Sequence, residues 1–191
     1  MRRLLVTFIM GLLFISGLVQ AQTPSSNSAL SKYPARQDAY VNDLAKIFSA
    51  SEYDTLRTLV KSIAPDFDLT VLTIDGIADY DSREPSIETF STNLFNLWGV
   101  GSQAKNTGVL VVLAIQNRDI RIELGDAYKR DYDSEMKTVI QEYMIPRFKQ
   151  GNYAQGLTNG VAQIYYQIKG THPAMSGTPD QQSTASWLTY A

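Results

Sequence analysis

The sequence predicts an α/β fold: a three-layer α/β/α sandwich with a small mixed β-sheet and about four helices. A strand, a helix and a second strand follow one another, which implies a parallel pair joined by a right-handed crossover. The second strand leads into a third through a two-residue turn, which adds an antiparallel neighbour. Its apolar run, GVLVVLAI at 108–115, is typical of a strand covered on both faces.

The first two helices are predicted from the residues at their ends. Ser49 and Glu52 form a capping box before an apolar stripe at helical spacing, and Pro65 ends that helix. Pro85 suits the first turn of the second helix. Gly99 follows the last apolar residue of that helix and is a typical stop signal.

The remaining elements are three strands and two helices. The strands are expected at 68–75, 108–115 and 118–125, and the last of them alternates apolar and charged residues. Asp133 is the N-cap candidate of the third helix, which Pro146 is expected to kink or break. The fourth helix has one apolar face, made of Leu157, Val161, Ile164 and Ile168.

Residues 1–21 resemble a cleavable signal peptide. Arg2 and Arg3 precede an apolar stretch at 4–19, and the small-residue motif VQA at 19–21 suits cleavage. We therefore expect a periplasmic or secreted protein. An uncleaved N-terminal membrane anchor is the alternative, because the apolar stretch approaches the minimum length of a membrane span.

Two polar segments flank one folded unit. Residues 22–37 are predicted to be a flexible leader and 170–191 a flexible tail, which leaves 38–169 as a single domain. The formal net charge of −2 argues against a nucleic-acid partner, which would require a basic surface. Because the chain has no cysteine, disulfides and thiol chemistry are excluded.

Two familiar motifs occur in the wrong structural context. GVGSQA at 99–104 matches the dinucleotide-binding fingerprint, which requires a strand before the glycines and a helix after them. Here the predicted helix precedes and the strand follows, so we predict no nucleotide ligand. DFDLT at 66–70 matches an aspartyl-phosphate motif, but it precedes its strand, whereas that chemistry needs the acid at the strand's carboxyl end.

The available side chains restrict the chemistry of any site. The single histidine, His172, lies in the predicted tail, so the domain has no Ser-His-Asp triad. It also has no histidine or cysteine for a zinc or copper site. Acidic residues are plentiful. A metal site would therefore be built of oxygen ligands, which favour Ca²⁺ or Mg²⁺.

Three segments resemble the TPM domain family: YVNDLAKIFSASE at 40–52, FNLWGVGSQAKNTGVLVVLAIQNRDIRIELG at 95–125 and MIPRFKQGNYAQGL at 144–157. They occur in the family's order and spacing. The resemblance implies an α/β/α sandwich in an exported or membrane-tethered protein. It also implies divalent cation binding, often of calcium, at acidic loop ends, and plant relatives are associated with acid phosphatase activity and photosystem repair.

The resemblance implies a set of cation ligands near one end of the sheet. With Asp126 added as a compensating acid, the expected ligands are Asp43, Asn106, Glu123, Asp126 and Asp133. We expect them to ring one acidic site for Ca²⁺, with Mg²⁺ less favoured. The segment 125–133 departs from the family because it is one residue shorter and places Lys129 or Arg130 near the usual Glu, where a positive charge repels a cation.

Two functional hypotheses follow. The favoured one is a non-catalytic interaction or envelope-maintenance module with an envelope or membrane protein as its partner. The alternative is a metal-assisted phosphomonoesterase in which Asp43, Asp126 and Asp133 hold the metal and Arg121 or Lys105 neutralises the phosphate. The first is preferred because no nucleophile is recognisable beside a base.

Overall fold

The computed structural model describes residues 32–65, 67–80, 84–101 and 105–170. The elements along the chain are β1 (Val41–Asp43), α1 (Ala50–Ile63), β2 (Leu69–Ile74), a 3-10 turn (Ile77–Asp79), α2 (Ile87–Trp98), β3 (Val109–Ala114), β4 (Asp119–Leu124), α3 (Lys129–Thr138), a π-helical turn (Val139–Met144), α4 (Ile145–Phe148) and α5 (Tyr153–Lys169). The predicted signal peptide, the leader up to residue 31 and the tail beyond residue 170 lie outside the described residues.

The four strands form one mixed sheet in the order β1-β2-β3-β4. The first three strands are parallel, and β4 pairs antiparallel with β3 across the hairpin. The predicted α/β fold with its crossover and hairpin is therefore confirmed. The sequence does not predict β1, because three residues are too few to show a strand's alternation of apolar and polar residues.

Helices cover both faces of the sheet, which produces the three layers. One face packs against α1, α3, the π-helical turn and α5, and the other against α2. β2 and β3 are buried at every position, as their continuous apolar sequences require. On β4, Ile122 and Leu124 face the first layer, whereas Arg121 and Glu123 share the α2 side with their partners on β3.

The helical stretch after β4 differs from the prediction at its start. α3 begins at Lys129, so Asp133 lies inside the helix and is not its N-cap. The predicted irregularity near Pro146 is present. The π-helical turn widens the helix just before Pro146, which stands in the first turn of α4 and has no N–H to donate to the preceding turn.

The compact unit includes residues that the composition places in the leader. Tyr33 is only 7% exposed. The indole Nε1 of Trp98 donates a hydrogen bond to the carbonyl of Pro34 at 2.9 Å, and the buried Asn42 accepts one from the N–H of Gln37 at 2.7 Å. These bonds fix the chain before β1 against α2. Within the described part of the chain, no helix is long and apolar enough to cross a membrane.

Candidate functional site

The sheet has two ends, which differ in the residues they present. We call the end where β1, β2 and β3 finish and β4 starts the carboxyl end, and the opposite end the amino end. Asp43 is the last residue of β1 and is aligned with Thr73 of β2, so it lies at the carboxyl end. Asn106 precedes β3 and Asp126 follows β4, so both lie at the amino end.

This topology corrects the expected ring of five ligands. Thr73 is aligned with Leu113 on β3, whereas Leu124, at the other end of the hairpin, is aligned with Val109. Four residue steps separate those two positions on β3, which span about 13 Å at a rise of about 3.3 Å per residue. Asp43 and Asp126 are therefore too far apart to hold one ion. The error arose because β1, which carries Asp43 to the carboxyl end, was not predicted.

Asp43 already has partners for both of its carboxylate oxygens. One oxygen accepts a hydrogen bond from the N–H of Ile47 at 3.3 Å and a short one from the hydroxyl of Thr73. The other accepts from the N–H of Phe48 at 3.1 Å. Asp43 thus closes the turn that leads from β1 into α1, which is a common structural role for aspartate.

Glu123 lies on the α2 side of the sheet and is 2% exposed. The Nε and Nη2 of Arg121 donate to one of its carboxylate oxygens at 3.1 and 3.0 Å. A buried carboxylate requires such a partner, because its charge is costly to remove from water. Arg121, which the phosphatase hypothesis assigns to a phosphate, therefore neutralises Glu123.

Two of the five expected ligands are in contact. The side-chain nitrogen of Asn106 donates to Asp126 at 3.2 Å, and both residues are exposed at the amino end. Asn106 adopts a left-handed backbone conformation, with φ of 53°, which asparagine tolerates better than most residues. Asp133 is exposed on α3. Among the residues that the structure describes, no group of three or more acids or histidines is arranged to hold a metal ion.

At the amino end, Gly101, Gly108 and Gly125 let stretches of backbone pack closely, and we call it the closed end in this sense, for the described residues only. A Cβ on Gly125 would lie 2.0 Å from the carbonyl oxygen of Asn106, and one on Gly108 would lie 2.3 Å from that of Val100. Gly101 has a φ of 93°, which favours glycine. The predicted context is confirmed, since α2 precedes this segment and β3 follows it. Backbone packs on backbone here.

A groove that no sequence pattern predicts opens at the carboxyl end. It lies between the β3–β4 hairpin and the stretch from the π-helical turn to the start of α5, and its volume is about 650 Å³. The lining residues are Leu113, Ala114, Ile115, Arg118, Asp119, Ile120, Ile140, Ile145, Phe148, Lys149 and Tyr153. Most of them are apolar, and those on the two walls are only half-buried.

Two positive charges stand in the lining of the groove. Arg118 and Lys149 are both exposed, and neither side chain has a hydrogen-bond or ion-pair partner among the described residues. Ligands of open α/β sheets bind outside the carboxyl ends of the strands, which is where this groove lies. The groove is formed by two segments that are distant in the chain, so no local sequence motif predicts it.

The fold defines a class: a three-layer α/β/α domain built around a mixed four-stranded sheet. The model of the TPM domain family matches residues 41–167. The chain therefore belongs to the TPM domain family, and the resemblance seen in the sequence is confirmed. No curated protein matches the chain.

Solved structures of bacterial proteins share the fold. The N-terminal domain of a Porphyromonas gingivalis protein is 28% identical, with a TM-score of 0.58 over 72% of this chain and 87% of that one. The N-terminal domain of the cg2496 protein of Corynebacterium glutamicum is 13% identical, with a TM-score of 0.52 over 79% and 90% of the two chains. The BA42 protein of Bizionia argentinensis is 16% identical, with a TM-score of 0.51 over 66% and 84%.

Proposed function

We propose that this TPM domain is a non-catalytic interaction module that acts on a protein partner in the cell envelope. The proposal is carried by the observation that two of the expected acidic ligands already have hydrogen-bond partners within the fold. Asp43 accepts hydrogen bonds from the backbone of the following turn, and Glu123 is paired with Arg121. An acid in such a role would have to give up these bonds before it held a metal or activated a water. The envelope location is supported by the signal-peptide pattern of residues 1–21.

In this proposal Ca²⁺ binds to only two of the five expected residues, the Asn106–Asp126 pair. Ca²⁺ takes about six to eight oxygen ligands, so two side chains leave most positions to water. We therefore expect a dissociation constant on the order of 10⁻³ M, typical of weak extracellular sites. Mg²⁺ is expected to bind less well, because it gives up its waters reluctantly.

The metal-assisted phosphomonoesterase is the less favoured function. It requires Asp43, Asp126 and Asp133 around one ion, and Asp43 lies at the opposite end of the sheet from Asp126. The test is a phosphatase assay on the purified chain with Ca²⁺, Mg²⁺ or EDTA. We expect no turnover above that of an Asp126→Asn variant. Turnover that disappears in this variant while the fold is intact would overturn the proposal.

The interaction itself is tested with photo-crosslinking residues at three exposed positions on different faces: Leu97, Lys61 and Lys149. Leu97 is 64% exposed, the most exposed large apolar side chain among the described residues. In cells that export the protein, we expect one discrete envelope protein to be crosslinked from one face and not from the others. An absence of crosslinks from all three faces, in correctly exported protein, would contradict an interaction role.

A further inference from the structure

We propose that the groove at the carboxyl end binds an anionic amphiphile: a fatty carboxylate whose alkyl chain lies along the apolar walls and whose head group meets Arg118 and Lys149. This ligand is separate from the protein partner proposed above, and neither proposal depends on the other. The groove's volume of about 650 Å³ falls within the range of small-molecule pockets, about 300 to 1,000 Å³.

The walls of the groove favour a hydrocarbon chain. Ile120 on the hairpin side faces Ile140, Ile145 and Phe148 on the helical side, and all four are half-buried. Covering such side chains with an alkyl chain removes apolar surface from water, which is favourable. The floor is apolar at Leu113 of β3, which is 3% exposed, whereas the side chain of Ala114 faces the α2 layer.

A peptide suits the groove less well than an alkyl chain. Every peptide unit carries an N–H and a C=O, and each loses free energy when it leaves water without a hydrogen-bond partner. The polar side chains of the lining are limited to Arg118, Asp119, Lys149 and the hydroxyl of Tyr153. Asp119 already accepts a hydrogen bond from the N–H of Ile120 at 2.9 Å. A hydrocarbon chain makes no such demand on the walls.

The charges of the lining select the head group. Arg118 and Lys149 outnumber the single acid, Asp119, so the groove attracts an anion. The two cations stand on different walls, and the backbone fixes both positions. The N–H of Arg118 donates to the carbonyl of Ile115 at 3.1 Å in the hairpin turn, and that of Lys149 donates to the carbonyl of Ile145 at 3.0 Å at the end of α4.

The test is a titration of the ¹⁵N-labelled chain with decanoate below its critical micelle concentration, followed by ¹H–¹⁵N correlation spectra. We expect saturable shifts in the amides of 113–120 and 140–153, which form the two walls. Decanol, with the same alkyl chain and no charge, should bind about tenfold more weakly, because it lacks the negative charge that the two exposed cations attract.

Variants separate the roles of charge and shape. Arg118→Asn with Lys149→Gln removes both charges, and asparagine tolerates the φ of 52° at position 118. This double variant should bind decanoate about tenfold more weakly and decanol as before. Ile145→Trp should block both ligands. Lys61→Gln, which removes an exposed lysine from α1 outside the groove, is the matched control and should change nothing.

Three results would overturn the proposal. One is the absence of saturable shifts with decanoate. The second is that the two cations have no role in binding. Either equal affinity for decanoate and decanol, or an unchanged decanoate affinity in the double variant with an intact spectrum, would show this. The third is tighter binding by an apolar peptide with a free C-terminal carboxylate that displaces decanoate, which would assign the groove to peptides.

Discussion

The two ends of the sheet differ in how closely their segments pack: backbone meets backbone at the amino end, and side chains line a groove at the carboxyl end. At the amino end, three glycines let stretches of backbone meet with no side chain between them, and a Cβ on Gly125 would approach the carbonyl of Asn106 to 2.0 Å. At the carboxyl end, the hairpin and the helical wall diverge and leave a groove of about 650 Å³ lined by half-buried side chains. The most recognisable motif of the sequence belongs to the closed end.

The difference between the two ends shows that residues recognisable in the sequence need not be the residues that are accessible to a ligand. A glycine needed for close packing stands out in a sequence because no other residue fits, but at these positions its role is structural. The groove is lined by residues that are ordinary in sequence: four isoleucines, other apolar side chains, and one arginine, one lysine and one aspartate. A pattern that stands out therefore need not mark the place where a ligand enters.

The largest effect is expected at the closed end. Gly125→Ala places a Cβ against backbone, which cannot move away as a side chain does, so we expect a loss of more than about 3 kcal/mol of unfolding free energy. Gly99→Ala is the matched control. It meets no atom within 4 Å but has a φ of 60°, so it should cost only about 1 kcal/mol. Urea denaturation measures both, and equal losses would contradict the close packing at Gly125.

Asp43 offers the next test, because it distinguishes a structural acid from a metal ligand. Asp43→Ala removes the acceptor of two backbone N–H groups and of the Thr73 hydroxyl, which should cost about 2 kcal/mol. The loss should be the same in EDTA and in excess Ca²⁺. Asp126→Ala, at an exposed position, should cost less than about 0.5 kcal/mol in EDTA. A loss at Asp43 that appears only with Ca²⁺ would show that Asp43 binds the ion.

A smaller effect concerns pH and the segment before β1. Burial raises the pKa of Asp38, but hydrogen bonds from Arg57 and from the N–H groups of Tyr40 and Val41 more than offset it, so the pKa lies below its usual value. The folded state therefore favours the ionised carboxylate. This contribution to stability is complete above the unfolded-state pKa of about 3.9 and is lost as the pH falls through the lower folded-state value.

We expect the unfolding free energy of the Asp38→Asn variant to fall less steeply than that of the wild type as the pH drops from about 5 to about 2. The difference should be less than about 1 kcal/mol, because the ion pair is partly exposed. Thermal melts across this range measure the change. Asp54→Asn, an exposed acid on α1, is the control for the loss of one negative charge. If both variants show the same pH profile, the bonds of Asp38 do not stabilise the fold.

The smallest effect is expected in the groove. Lys149→Gln removes an exposed charge that has no partner among the described residues, so the unfolding free energy should change by less than about 0.5 kcal/mol. A residue that folding does not require is free to serve binding. A large loss of stability on this substitution would make Lys149 part of the scaffold and weaken the contrast between the two ends.

Local signals in the sequence were sufficient for most of the fold. The capping box at Ser49 begins α1 as predicted, with the side chain of Ser49 and that of Glu52 each accepting from the other's backbone N–H. Gly99 ends α2 in the left-handed conformation. Each of these signals is decided within one turn of the chain, which is why sequence alone identifies them.

The candidate site depended on information that is not local. Asp43 was placed at the wrong end because a strand of three residues has no periodicity to detect. The start of α3 was missed because Tyr128 stands at its N-cap and makes no side-chain capping bond. The groove joins the hairpin to a helix about 20 to 30 residues later, and such a contact is fixed only by tertiary packing.

The π-helical turn at Val139–Met144 determines which side chains of the helical wall face the hairpin. Such a turn amounts to one extra residue in an α-helix, and each residue rotates the helix by about 100°. Deleting one residue there would rotate the residues that follow, among them Ile145 and Phe148, by about 100° relative to α3 and so change the side chains that face the hairpin. Relatives with and without this residue would then share the fold and differ in whether the carboxyl end has a second wall.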